Sequence, residues 1–134
     1  MAENYKDNQV GYMQVQAPES LYRKSLIYLA CPYSDPNKDI RESRYKEALK
    51  ATVELFRIGN HVYSPIVHSH YIEVGLGIEK PGFDFWRDYD LRLISHSDIL
   101  MVLTICGWNK SKGVAAEIDY AQSIRLPVIY ISPK

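Results

Sequence analysis

Residues 98–121 read DILMVLTICGWNKSKGVAAEIDYA, and this stretch decides the fold. Ile99 to Ile105 is an apolar run of strand length. A turn bearing Gly107 follows, and a helix opens at Ser111, a residue type suited to the N-cap. A helix running from about Val114 turns one stripe inward, formed by Val114, Glu117 with Ile118, Ala121 and Ile124. Glu117 therefore stands where an apolar side chain is expected. A carboxylate held there costs several kcal/mol unless it is paired or put to use. The plainer alternative is a glutamate at the edge of the stripe that reaches solvent.

Outward from this unit the same alternation repeats. SLIYLA (25–30) is a buried first strand stopping at Cys31-Pro32. Asp39 to Ile58 has helical spacing, with Tyr45, Ala48, Leu49, Thr52, Val53 and Phe56 as its apolar side and Gly59-Asn60 closing it. HVYSP (61–65) is a second strand cut by Pro65, and residues 66–81 read as a loop with at most a helical turn. Phe83 to Ser95 is a second helix, and PVIYIS (127–132) a last strand. Strands alternating with helices over short connections predict an α/β fold, with a parallel sheet of four to five strands flanked by helices. The domain is expected over residues 23–134, after a polar N-terminal arm at 1–22.

Composition narrows the function. The chain has 134 residues, a one-domain length, and 16 Lys+Arg against 16 Asp+Glu. Zero net charge removes the electrostatic case for a nucleic-acid polymer or a membrane surface as partner. No apolar run approaches the roughly 20 residues of a membrane span, and the N-terminus lacks the order of a secretion signal. Two cysteines without framework or metal spacing predict a reducing, cytoplasmic setting. The four histidines show no ligand pattern either, so neither metal nor cofactor is expected.

In such sheets ligands sit beyond the carboxyl ends of the strands, where strand order reverses. That rule collects Cys31 to Ser34, Ser64 to His70, Gly107 to Gly113 and the end of the chain. The helix opening at Ser111 aims free N–H groups at this crevice, and Gly113 allows close approach, which suits an anion. Ser111 as a cap alone is the competing reading. A second carboxylate is also misplaced. In FDFWRDYDLRLISHSD the inward stripe is Phe83, Trp86, Asp90 and Leu93/Ile94. Asp84, Asp88 and Asp98 have ordinary readings as helix-start or turn residues. Two inward carboxylates on adjacent helices suggest acid/base or nucleophilic chemistry, or a ligand anchor. Buried acids satisfied by tyrosine hydroxyls are the structural alternative.

IYLACPYS, Asp90 in DYDLRLISHSD and Glu117 in GWNKSKGVAAEIDYA together resemble the nucleoside 2-deoxyribosyltransferase-like superfamily, over about residues 25–132. The nearest likeness is to small bacterial and phage proteins with an LACPYS start and a GW..S.G...E motif, and to nucleoside 5′-monophosphate N-glycosidases. The resemblance implies a flavodoxin-like, Rossmannoid fold and cleavage of an N-glycosidic bond. It assigns the nucleophile to Glu117, a supporting carboxylate to Asp90 and a first-strand tyrosine to Tyr28, with Tyr33 as the competing ligand contact. It also implies a homo-oligomer, dimer or tetramer. Transferase members carry an acidic residue six positions before the nucleophile, where the nucleotide hydrolases carry serine for a 5′-phosphate. This chain has Ser111.

Charge explains that preference, because an acidic residue at 111 would repel a phosphate. Glu117 lies six residues past Ser111, about 9 Å along the helix at about 1.5 Å per residue. Side chains lean toward the N-terminus, so one helix can hold a phosphate at its start and present a carboxylate to C1′. The first loop, CPYSDPNKD, lacks the Gly-rich run with arginine of the nucleotide hydrolases, leaving Ser34 and Lys38 as phosphate contacts. Cys31, Cys106, His68, His70 and Gly107 are expected to line the pocket. Trp86 and Trp108 are the candidates for stacking on a base, with Trp108 favoured by its exposed turn. The expected function is hydrolysis of a (deoxy)nucleoside 5′-monophosphate. Base exchange by a transferase and a non-catalytic nucleotide-binding module are the alternatives.

Overall fold

The computed structural model describes residues 24–77 and 82–134, without the side chain of Phe83. The expected arm at 1–22 and the inward placing of Phe83 lie outside the described residues. The elements are β1 (Leu26–Ala30), α1 (Lys38–Arg57), β2 (His61–Tyr63), α2 (Pro65–Leu76), α3 (Gly82–Ser95), β3 (Ile99–Leu103), a 3-10 turn (Trp108–Lys110), α4 (Lys112–Ser123) and β4 (Val128–Ile131). The four strands form one parallel sheet in the order β2-β1-β3-β4. This is the α/β architecture that the alternating pattern predicts, and it is consistent with the flavodoxin-like fold that the resemblance implies. Among the described residues no helix is long and apolar enough to cross a membrane.

The period of two along each strand sorts the core. Ile27, Leu29, Met101 and Leu103 face one side, against Ala48 and Leu55 of α1 and Ile66 of α2. Tyr28, Ala30, Leu100 and Val102 face the other, against Ile94 of α3 and Val114 and Ala121 of α4. From β1 the chain moves outward to β2, and from β3 outward to β4. Their connections diverge there and open a crevice above the carboxyl ends of β1 and β3.

Three expectations need correction. Residues 66–81 are not mainly loop, because α2 makes three turns. Ser64 caps it through its Oγ, Pro65 takes the first position, and Gly77 ends it at φ +68°. No single apolar stripe announces this helix, and Val74 and Leu76 remain exposed. On α1 the inward residues are Ala48, Thr52 and Leu55, whereas Leu49, Val53 and Phe56 lie exposed. Two overlapping apolar stripes compete on this helix. The sheet takes the one with Ala48 and Thr52, whose small side chains allow close approach. Ile124 is the C-cap of α4 and points out, because the helix ends before it completes the stripe.

Candidate functional site

A cleft of about 850 Å³ occupies the crevice. Its floor carries Glu117, fully inside the α4 stripe and buried beside the sheet. Tyr28, at the centre of β1, donates its hydroxyl to Glu117 Oε2 at 2.6 Å. No other hydrogen bond to Glu117 occurs among the described residues, which leaves Oε1 for a ligand. Burial pushes the Glu117 carboxyl up to about 8, opposed by the Tyr28 hydrogen bond and reinforced by the charge of Asp90. Burial, then the charges of Glu117 and Asp90, hold the Tyr28 phenol well above its usual range, so Tyr28 remains a donor.

Asp90 enters from α3, buried as its stripe predicts. Burial raises its carboxyl to about 7. Among the described residues its Oδ1 is buried with no hydrogen-bond partner. The Tyr63 hydroxyl is buried near Tyr89, its ring 5.6 Å from that of Tyr28. Buried polar atoms in folded proteins are nearly always satisfied. An orphan carboxylate oxygen beside an open cleft marks a group that a ligand or water completes.

The rim opposite is built to attract an anion. Ser111 caps α4, its Oγ accepting from Val114 N at 3.1 Å. The cap reading is therefore correct, and the hydroxyl hydrogen is still available to donate. Arg44 spans the crevice, donating to the carbonyls of Ser34 at 3.0 Å and Cys106 at 3.5 Å. Arg41 donates to the carbonyls of Asp35 and Pro36. Neither arginine has a carboxylate in ion-pair range among the described residues. Gly107 sits at φ +93°, and a Cβ there would lie 2.6 Å from Arg44 Nη2. Only glycine fits both the turn and the arginine.

Both arginines escaped the sequence reading, which looked for cations in the loop after β1. Their available signal was the i, i+3 spacing of Arg41 and Arg44 in the opening turns of the next helix. Lys38 starts that helix exposed and does not reach the cleft.

Cys31, Tyr33, Ser34, Trp86, Gly107, Ser111 and Gly113 line the cleft as predicted. Burial pushes the Cys31 thiol up to about 12 against the pull of Arg44, which makes it an apolar wall rather than a nucleophile. Four predicted lining residues do not reach the cleft. His70 stacks on Tyr45 at 4.2 Å instead. Trp108 packs edge-on to Tyr130 at 5.5 Å, against the core that holds Val102 and Val114. His68 stacks on Tyr89 at 5.2 Å, between α2 and α3. Cys106 is exposed beyond the end of β3. Of the two tryptophans Trp86 is the one at the cleft, fixed by donation from Nε1 to Glu73 Oε2 at 2.7 Å.

Residues 25–132 match the family described as a domain of unknown function (DUF1937), and the chain belongs to that family. No curated protein matches it.

Proposed function

We propose that the protein hydrolyses the N-glycosidic bond of a nucleoside 5′-monophosphate, with Glu117 as nucleophile. The observation carrying this reading is the shared cleft. It holds a carboxylate anchored by Tyr28 at one depth, and at its rim Ser111 with two arginines that have no carboxylate partner among the described residues. That pairing suits a ligand with an electrophilic carbon and a phosphate a few ångströms apart.

In this reading the 5′-phosphate takes the Ser111 hydroxyl, the free N–H groups of α4 and the guanidinium of Arg44. Glu117 Oε1 attacks C1′ as the bond to the base breaks, through an oxocarbenium-like transition state. The base leaves with the bonding pair and takes a proton from Asp90. Water then attacks C1′ with Asp90 as base, releasing sugar 5-phosphate and regenerating Glu117. The step needs one carboxyl charged and one protonated. Burial raises both groups, Asp90 to about 7 and Glu117 to about 8, so in the empty cleft the last proton rests on Glu117 and must pass to Asp90 before attack. The Tyr28 hydrogen bond draws the negative charge toward Glu117.

The test is incubation with matched nucleosides and 5′-monophosphates, reading free base by chromatography. Release from the monophosphate, lost in Glu117→Ala, supports the proposal. No release from any monophosphate sinks it. Equal cleavage of the nucleoside, or diversion of product by a second base, moves a deoxyribosyltransferase to first place.

A further inference from the structure

The two ends of the cleft differ in what they can bond. On the β3 side stand Ser111, Gly107 and Arg44. On the β2 side stand Tyr33, Glu73 and Trp86, carried by the loop after β1, by α2 and by α3. The Tyr33 phenol is not free to turn. Its oxygen lies 2.7 Å from Nδ1 of His70, and Nε2 of that ring lies 3.3 Å from Oε1 of Glu42. The ring itself is clamped, stacked on Tyr45 at 4.2 Å and edge-on to Tyr71 at 4.7 Å.

A carboxylate only accepts, so the neutral imidazole carries its hydrogen on Nε2, facing Glu42, and Nδ1 must accept. Tyr33 therefore spends its one O–H on His70 and presents only lone pairs to the cleft. Glu73 adds a second acceptor, with Oε2 held by Trp86 Nε1 at 2.7 Å. A ligand group lodged between Tyr33 and Glu73 finds acceptors.

We propose that the end of the ligand lying against Tyr33 and Glu73 is a base with an exocyclic amine, such as adenine or cytosine, and not its oxo counterpart. An amino group donates to the Tyr33 oxygen and to Glu73. A carbonyl in its place sets acceptor against acceptor and stays unpaired, the arrangement by which a hydrogen-bonding site rejects an analogue. Here Tyr33 is a specificity residue, and His70 with Glu42 are positioning residues that set the direction of its hydrogen bond. The inference rests on the proposal that this cleft takes a nucleotide with its phosphate at Ser111, but not on turnover.

The experiment is calorimetric binding to full-length Glu117→Gln protein at about pH 8. The ligand pairs are AMP against IMP and CMP against UMP. The amino member of at least one pair is expected to bind about tenfold tighter. Tyr33→Phe should bring that ratio close to one without weakening the oxo ligand. His70→Phe keeps a ring on Tyr45 but frees the Tyr33 O–H to donate, and should move the ratio toward the oxo ligand. Oxo ligands binding as well as amino ones, or a ratio unchanged in Tyr33→Phe, overturns the inference while leaving the nucleotide reading intact. No binding by any nucleotide overturns both. Amine preference without base release by the wild-type protein upholds the inference and removes only the proposed catalysis.

Discussion

The two edges of the sheet treat buried polar groups in opposite ways. At the amino edge of the strands the buried Asn60 and Ser97, and the exposed Asp98, are closed by backbone. Asp98 Oδ2 accepts from Leu26 N at 2.8 Å, Asn60 bonds Ser25 N and the Leu55 carbonyl, and Ser97 donates to the Leu93 carbonyl. At the carboxyl edge Asp90 Oδ1 is left without a partner among the described residues, and burial raises the carboxyls of Glu117 and Asp90. The first edge holds the fold together, whereas the second keeps groups in a costly state that only a ligand relieves. The contrast separates stability from chemistry within one sheet.

Substitutions at the two edges should therefore fail differently. Glu117→Ala is expected to lower base release by at least about 10³-fold while circular dichroism shows an intact fold, as for loss of a covalent nucleophile. Near-normal turnover would erase the distinction between the edges. Asp90→Asn keeps shape and removes charge, and should cost on the order of 10²-fold in rate per folded molecule. If it changes only the unfolding temperature, Asp90 belongs with the structural group.

Ser111→Ala or Arg44→Ala should lower kcat/KM for the monophosphate by about 10- to 100-fold, since hydrogen bonds to a charged group are worth roughly 1.5–3 kcal/mol. Cleavage of the bare nucleoside, measured in parallel, should hardly change. An equal loss on both ligands would make these residues loop staples and nothing more.

The carboxyl edge should also be visible in stability alone. Asp90 and Glu117 hold protons in the folded state up to about pH 7 and about pH 8, whereas in the unfolded chain they release them near their ordinary values. The folded state thus binds more protons across this window, so stability falls as pH rises from about 4 to about 8. Glu117→Gln still accepts from Tyr28 but carries no charge. It should raise the melting temperature at pH 8 by about 3–5 °C. A melting temperature that climbs with pH through this window would contradict the assignment. Asp98→Ala, at the other edge, should lower it by a few degrees and leave kcat/KM per folded molecule unchanged.

Local sequence determined the order of elements, the parallel sheet, the cap at Ser111 and the inward aim of Glu117 and Asp90. Each depends on residues within a few positions of one another, where helical and strand periods act directly. Where two local patterns competed, the same signal misled. On α1 the stripe of Leu49, Val53 and Phe56 reads as strongly as that of Ala48, Thr52 and Leu55, and only the approach of the sheet selects between them. The α2 helix was legible in its ends, Ser64-Pro65 and Gly77, but not in its body, whose apolar residues surround the axis. Tertiary structure alone decided who meets whom across the cleft. Tyr28 reaches Glu117 over 89 positions, Arg44 reaches the Cys106 carbonyl over 62, and Tyr33 reaches His70 over 37. Those pairings follow from the strand order β2-β1-β3-β4, which sets β1 beside both β2 and β3. No local period encodes that choice, because it is made by the packing of distant faces and not by the spacing of neighbours.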